Sequence, residues 1–375
     1  MTGNILGERF VVVSFGESHG KCVGAVIDGC PAGLPISQEE IQRELDLRKP
    51  GQSLVTTMRM EGDRVEVLSG VFEDFTTGAP ICLIIRNADI DSKSYEKILG
   101  TPRPGHADYT ALEKYRGFAD YRGGGRFSGR ITASYVMAGA IAKKLIKRVL
   151  NVEIIAYTLE VGGIRAGPFT LEDARTYRYS NEVRSPNPES AELMKKKILE
   201  EKAKGDSTGG IVECIALNVP IGVGEPVFSS LDSELSKAIL SIPAVKGVEF
   251  GAGFEAARRR GSENNDQYVV ENSQIRTITN NSGGILGGLS NGMPIQFRVA
   301  FKPAASIGKV QKTVNVTTME ETDIVVPGRH DPSVVPRAVP VVENVTALVL
   351  ADLAIRGGLI LPVLGEKTTL RKVPQ

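Results

Sequence analysis

Apolar, β-branched residues gather into two runs near the start of the chain. Arg9–Gly16 and Cys22–Gly29 are β-branched runs joined by the polar stretch FGESHGK, and they predict two strands. Ser37-Gln38-Glu39-Glu40 has the form of a capping box. The helix it opens is expected to run to about Lys49, where Pro50-Gly51 stops it. Strand-like runs recur at Val65–Val71 and Ile81–Ile85. From Asn87 to Gly125 the pattern dissolves into a region dense in Gly, Pro, Arg and Asp. An irregular stretch this long in a compact chain is more often functional or linking than idle.

Helical spacing returns at Ile131–Leu150, where Ala133, Val136, Ala140, Ile141 and Leu145 share one face. Its many alanines predict close packing on another helix. Further on, the pattern predicts strands at Val152–Val161, Gly210–Val219 and Pro294–Phe301, and helices at Glu189–Lys204 and Leu231–Leu240. A last helix is expected from about Pro340, suited to a first turn, to Gly357, suited to a C-cap. The elements alternate without the even period of a barrel or a doubly wound sheet. With no repeat, low-complexity linker or clear boundary, residues 1–375 read as one domain mixing α and β structure.

Composition narrows the class. The chain has 375 residues, 41% hydrophobic and 24% charged, enough for a large core. No run reaches the roughly 20 apolar residues of a membrane span. MTGNILGERF lacks a basic-then-apolar leader, so a cytoplasmic protein is expected. Net charge is +1 and Trp is absent, which argues against nucleic acid as a partner. Cys22, Cys30, Cys82 and Cys214 are scattered and read as structural thiols in a reducing compartment.

The candidate chemistry lies in Gly-rich islands. The chain has three histidines: His19 in GESHG, His106 in RPGHAD and His330 in GRHDP. A loop hydrogen bond explains any one of them. Three beside Gly, Arg and Asp point as readily to proton transfer. No metal site is expected, since no HxH or HxxxH spacing occurs and no cysteine lies near.

The island YRGGGRFSGR (Tyr121–Arg130) runs straight into the Ala-rich helix. Glycines admit close backbone approach, the helix start offers free N–H groups, and arginines bind phosphate or carboxylate bidentately. Together they predict an anion cradle, which Arg48, Lys49, Arg59, Arg103, Lys302, Arg329 and Arg337 could complete. SGGILGG (Ser282–Gly288) followed by KPAAS (Lys302–Ser306) would suit a second phosphate. Gly251-Ala252-Gly253-Phe254-Glu255-Ala256 matches a dinucleotide fingerprint, but a polar stretch from Arg258 follows in place of a second strand, so the match is taken as chance.

Those islands are also familiar. GESHGKCVGAVIDGCP, RPGHADYT, DYRGGGRFSGRITA and GRHDPSVVPRAVPVVEN resemble the signature segments of the chorismate synthase family. The resemblance runs in order from about Gly3 to about Arg356. It implies an α+β fold, a β-α-β sandwich, in a homotetramer. It further implies conversion of 5-enolpyruvylshikimate-3-phosphate to chorismate by anti-1,4-elimination, in the shikimate pathway of aromatic amino acid biosynthesis. Reduced FMN is needed without net redox change. NAD(P)H would enter only indirectly, through a separate flavin reductase, because no large insertion suggests a built-in one.

By the same resemblance the catalytic residues are His19, His106, Asp331, Ser18 and Ser128. One histidine would keep reduced FMN monoanionic and the other would protonate the leaving phosphate. Which does which stays open, with His106 assigned to the flavin and His19 to the phosphate. FMN-binding positions match Arg126, Phe127, Ser128, Ala244, Gly287, Lys302, Pro303, Ala304, Ala305, Ser306 and Arg329. Arg48 matches a substrate or nicotinamide-nucleotide contact, and Arg59, Arg103, Arg130 and Arg337 complete the substrate set. Three positions depart from the usual pattern: Leu54 for Arg, Phe127 for Ser and Gly129 for Ala. A flavin oxidoreductase and a non-catalytic anion-binding protein are the rival classes.

Overall fold

The computed structural model describes residues 3–51, 55–56, 62–87, 93–96, 99–326 and 330–365. Two antiparallel five-stranded sheets enclose a layer of helices, the β-α-β sandwich. The first sheet comprises β1 (Ile5–Leu6), β2 (Val11–Gly16), β3 (Cys22–Asp28), β4 (Val65–Val67) and β5 (Ile81–Arg86), in the order β1-β2-β3-β5-β4. The second comprises β6 (Glu153–Val161), β7 (Ile164–Arg165), β8 (Gly210–Leu217), β9 (Val245–Phe250) and β10 (Ile295–Phe301), in the order β9-β10-β8-β6-β7. Alternation explains β10, whose Ile295, Phe297, Val299 and Phe301 are buried while the residues between them are less so.

The principal helices are α1 (Gln38–Arg48), α2 (Asp108–Tyr115), α3 (Thr132–Leu150), α4 (Pro188–Ala203), α5 (Leu231–Leu240) and α6 (Val335–Arg356). The expected capping box forms at the start of α1. Glu40 N donates to Ser37 Oγ at 3.3 Å, and Ser37 N donates to the Glu40 carboxylate at 2.9 Å. Helices α1 and α3 cover the first sheet, α5 and α6 the second, and α3 packs along α6. One hydrophobic cluster runs through both sheets and the helices between them. The close helix packing read from the alanines of α3 is present. At Gly139 an added Cβ would stand 2.4 Å from Asn344 Cβ.

Four expectations need correction. α6 begins at Val335 and carries Pro340 inside it, because burial along its length outweighs the hydrogen bond that proline forgoes. The strand expected over Val65–Val71 stops at Val67. The irregular stretch 87–125 contains α2, whose N-cap Ala107 has no side-chain bond to advertise it. And α6 is, among the described residues, long and apolar enough to cross a membrane, with 94% of its most apolar window buried inside the protein. The fingerprint match follows β9, which pairs antiparallel with β10 and leads into a 3-10 turn at Gly253–Arg258. The four cysteines are free thiols, and burial pushes Cys30 up to about 12.

Candidate active site

The N-terminal ends of α3 and α6 and the C-terminal end of α5 open onto one cleft of about 650 Å³, within the roughly 300–1,000 Å³ of small-molecule sites. Its other walls are the loops around Arg103–Ala107 and Gly123–Gly129, the turn at Ile242–Lys246 and the segment after β10, Lys302–Ser306. Among the described residues, seven Arg and Lys side chains (Arg48, Arg103, Arg126, Arg130, Lys246, Lys302, Arg337) and one acid, Asp331, line it. Of the residues predicted to form an anion cradle, Arg48, Arg103, Arg126, Arg130, Lys302 and Arg337 therefore meet here, while Lys49 is not part of this wall.

Gly123, Gly124 and Gly125 all adopt positive φ, at 59°, 81° and 51°, a conformation that L side chains rarely take. A side chain on Gly123 or Gly125 would collide with its surroundings, and one on Gly124 would crowd the ring beside it. A Cβ on Gly123 would stand 2.2 Å from His19 Cδ2 and 2.9 Å from Ser18 Oγ; one on Gly124 would stand 3.1 Å from His106 Cε1; one on Gly125 would meet Asp120 O at 2.1 Å. Two histidines 87 residues apart in sequence thus lie against consecutive glycines. His106 lines the cleft. His19 and Ser18 sit one layer behind, buried, with the Tyr95 ring edge-on to His19 at 5.2 Å.

His106 is held by neighbours in its own loop. Its Nδ1 lies 2.6 Å from Asp108 Oδ1. Arg103 Nε donates to Asp108 Oδ2 at 2.7 Å and Nη2 to Oδ1 at 2.8 Å. Arg103 Nη1 donates to Ser306 Oγ at 3.0 Å, tying this loop to the segment after β10. Burial works against ionisation of Asp108, but hydrogen bonds from Arg103 and His106 outweigh it and hold the carboxyl well below the usual range.

A second ionic cluster underlies the cleft. Asp63 is buried and bridges Arg48 and Arg130; Arg48 Nη1 lies at 3.0 Å. Burial raises the Asp63 carboxyl, and the charges of Arg48, Arg130 and Arg337 bring it below its ordinary value. Arg48 also donates to Thr132 Oγ1 and Gly129 O, at 3.1 and 3.0 Å. Asn87 Oδ1 accepts from Arg130 at 3.2 and 3.1 Å. Its Nδ2 donates to Glu17 O and Gly20 O, so Asn87 joins the His19 loop to the start of α3. Arg337 pairs with Asp331 and donates to Arg48 O at 3.3 Å. Arg126 donates to Gly16 O at 2.8 Å, to Asn4 Oδ1 and to both oxygens of Ser14. Its guanidinium pins the triple-glycine loop to β2.

Phe127, Ser128, Ala244 and Lys302–Ser306 all line the cleft. Ala244 takes φ +73°, a strained backbone for a residue with a side chain, and its carbonyl accepts from Lys302 N at 2.9 Å. The Lys302 ammonium is shifted down by burial and then by Lys246. Gly287 does not join them. It sits at the Ile285–Ser290 turn with nothing within 4 Å of its Cβ position and is not part of this chain's cleft wall. Arg59, Arg329 and Leu54 lie outside the described residues. His330 lines the cleft, its Nε2 3.1 Å from Val326 O. Asp63, Asn87, Tyr95, Asp108 and Lys246 were not singled out from sequence. Only Asp108 carried a local signal, an acid two residues after a histidine.

Fold and cleft together define an enzyme of the β-α-β sandwich class that takes a small molecule. The chorismate synthase family model matches residues 10–355. A chorismate synthase of Korarchaeum cryptofilum is 58% identical over 352 residues, 94% of this chain and 97% of that protein. One from Methanocaldococcus jannaschii is 53% identical over 371 residues, 96% of this chain and 98% of that one. A crystal structure of a chorismate synthase superposes with a TM-score of 0.73 at 34% identity, covering 94% of this chain and 93% of that one. The chain belongs to the chorismate synthase family, and is a lyase.

Proposed function

We propose that this enzyme eliminates phosphate from 5-enolpyruvylshikimate-3-phosphate to give chorismate, with reduced FMN and without net redox change. The observation that carries the reading is the meeting of His19 and His106 on adjacent glycines of a cationic cleft. A substrate with a phosphate and two carboxylates, beside a phosphorylated cofactor, needs fixed counter-charge to leave water. Among the described residues seven cationic side chains line the cleft, and the acids paired with them, Asp63, Asp108 and Asp331, leave an excess of positive charge to supply it.

The donor set fits FMN as well. Lys302 and Lys246 are mutually repelling cations at the wall, and Ser18 Oγ is a buried hydroxyl with no hydrogen bond to a described residue. Arg126–Ser128, Ala244 and Lys302–Ser306 would hold the cofactor. Bound there, reduced FMN would supply the electron density for loss of phosphate and would take up the C6 proton, so that elimination balances without net redox change.

The chain's own residues orient and exchange protons. Arg48 and Arg130, fixed by Asp63, face the phosphate and carboxylates, and their donors stabilise the charge that builds on the departing phosphate. His19 turns its Cδ2–Nε2 edge to Gly123, a residue of the cleft wall. It serves the leaving phosphate, and His106 serves the flavin. Asp331, oriented by Arg337, and Ser128 assist. On the same reading the enzyme works as a homotetramer of single-domain subunits in the cytoplasm and draws reduced flavin from a separate NAD(P)H-using reductase.

The test is anaerobic mixing of protein, reduced FMN and substrate, following phosphate release and chorismate absorbance. Equal amounts of both products with flavin still reduced are expected. Flavin oxidation in proportion to product would make the protein an oxidoreductase instead. Binding without turnover would leave it an anion-binding protein.

A further inference from the structure

We infer that Asp108 is a positioning residue for His106, holding the imidazole in its Nδ1–H form and leaving Nε2 as the ring's proton acceptor, with Arg103 as the clamp that orients the carboxylate. The inference rests on the reading that His106 does proton chemistry.

Donor and acceptor roles decide the tautomer. An ionised carboxylate only accepts, so the 2.6 Å contact from Asp108 Oδ1 to His106 Nδ1 requires the proton on Nδ1. Arg103 Nη2 lies 3.0 Å from Nδ1 and 3.3 Å from Nε2. A guanidinium only donates. With Nδ1 already protonated, Nε2 is the ring nitrogen that can accept from it. The carboxylate cannot swing away, because Arg103 grips both oxygens through Nε and Nη2 and its own backbone N–H adds a third bond, at 3.0 Å to Oδ2. His106 N in turn donates to Arg103 O at 3.2 Å, which closes the turn. Gly124 bounds the ring on its Cε1–Nε2 side, 3.1 and 3.2 Å from the Cβ position.

The charges around the ring are unequal. Arg103 lies against it as a cation, and the Lys302 ammonium stands by the preceding residue, 3.7 Å from the Gly105 Cβ position. Asp108 is the anion set against them. It therefore fixes the tautomer and also offsets the Arg103 cation that opposes a protonated ring.

Two variants test this. Asp108→Asn keeps shape and removes charge; Asp108→Ala removes both. The expected result is a fall in kcat of about 10–100-fold in each, as for other partners that orient a histidine, with KM for substrate little changed. The pH–rate profile is expected to move toward lower pH, because the variants remove the anion set beside the ring. Independently of activity, nitrogen NMR of ¹⁵N-histidine-labelled protein, assigned against His106→Asn among the three histidines, should show Nδ1–H in the parent and its loss in Asp108→Ala. Asp108→Glu should recover part of the rate. An unchanged tautomer in Asp108→Ala overturns the inference, as does a rate loss with an unmoved pH profile. If the parent makes no chorismate, the functional reading fails while the tautomer measurement still decides this one.

Discussion

Gly123 lies against the Cδ2–Nε2 edge of the His19 imidazole, so close that a methyl group on its Cα would stand 2.5 Å from Nε2. Alanine there meets two penalties. Its backbone at φ +59° is left-handed, costing about 1–2 kcal/mol for an L residue, and its Cβ displaces the ring. A displacement of about 1 Å at a reacting group can cost about 10²-fold in rate. Gly123→Ala is expected to lose turnover on that scale. Gly129→Ala, with nothing within 4 Å of its Cβ position, should stay near the parent. Steady-state rates of the two variants check this, and equal rates would remove Gly123 from the site.

Each histidine is expected to be worth a general acid or base. His106→Ala and His19→Ala should each lower kcat by about 10²–10⁴-fold, with far-ultraviolet circular dichroism unchanged. His19 is buried, so His19→Asn serves as the companion variant that keeps its volume better filled. Near-normal turnover in variants of both residues would end the assignment.

Legibility followed how local each signal was. The capping box at Ser37 and Glu40 is written within four residues, and it forms as read. The β2–β3 hairpin is written in two β-branched runs and also forms. α2 escaped because its N-cap, Ala107, makes no side-chain bond and only Ala111 of its eight residues is buried. Pro340 was misplaced because a helix buried in the core tolerates what an isolated one would not. At the site, residue types in Gly-rich islands announced a cationic cleft, but not the partner each arginine would take. Arg126 is engaged by β2, and Arg48 and Arg130 by Asp63. Such partners depend on chain segments far apart in sequence. Asn87, which ties Arg130 to the His19 loop, left no trace in the pattern.

Asp63 should contribute to the acid sensitivity of this cleft. It is fully buried between Arg48 and Arg130, and removing one partner of such a cluster typically costs about 3–5 kcal/mol. Its carboxyl is held below its ordinary value by those arginines, against the opposing effect of burial. A depressed folded value means the stabilisation is fully present above the unfolded pKa of about 3.9 and is lost as pH falls through the folded value. Asp63→Asn lacks it at every pH. Urea unfolding should therefore show a wide gap between parent and variant at pH 7 that narrows at about pH 3. A gap independent of pH would mean Asp63 does not act through its charge.

Gly139 tests the helix layer without touching a reacting group. Alanine is favoured over glycine within a helix by about 1 kcal/mol, so an uncrowded site would be stabilised. Here the new Cβ would meet Asn344 Cβ at 2.4 Å and Asn344 O at 2.6 Å, positions fixed by the backbone of α6 that no rotamer change can clear. Overpacking of this kind costs about 1–3 kcal/mol, enough to reverse the propensity gain. Gly139→Ala is thus expected to unfold at lower urea. Because the N-terminal ends of α3 and α6 both open onto the cleft, forcing these helices apart should also shift Thr132 and Arg337 and raise KM. A variant more stable than the parent would show that α3 and α6 do not approach as closely as described.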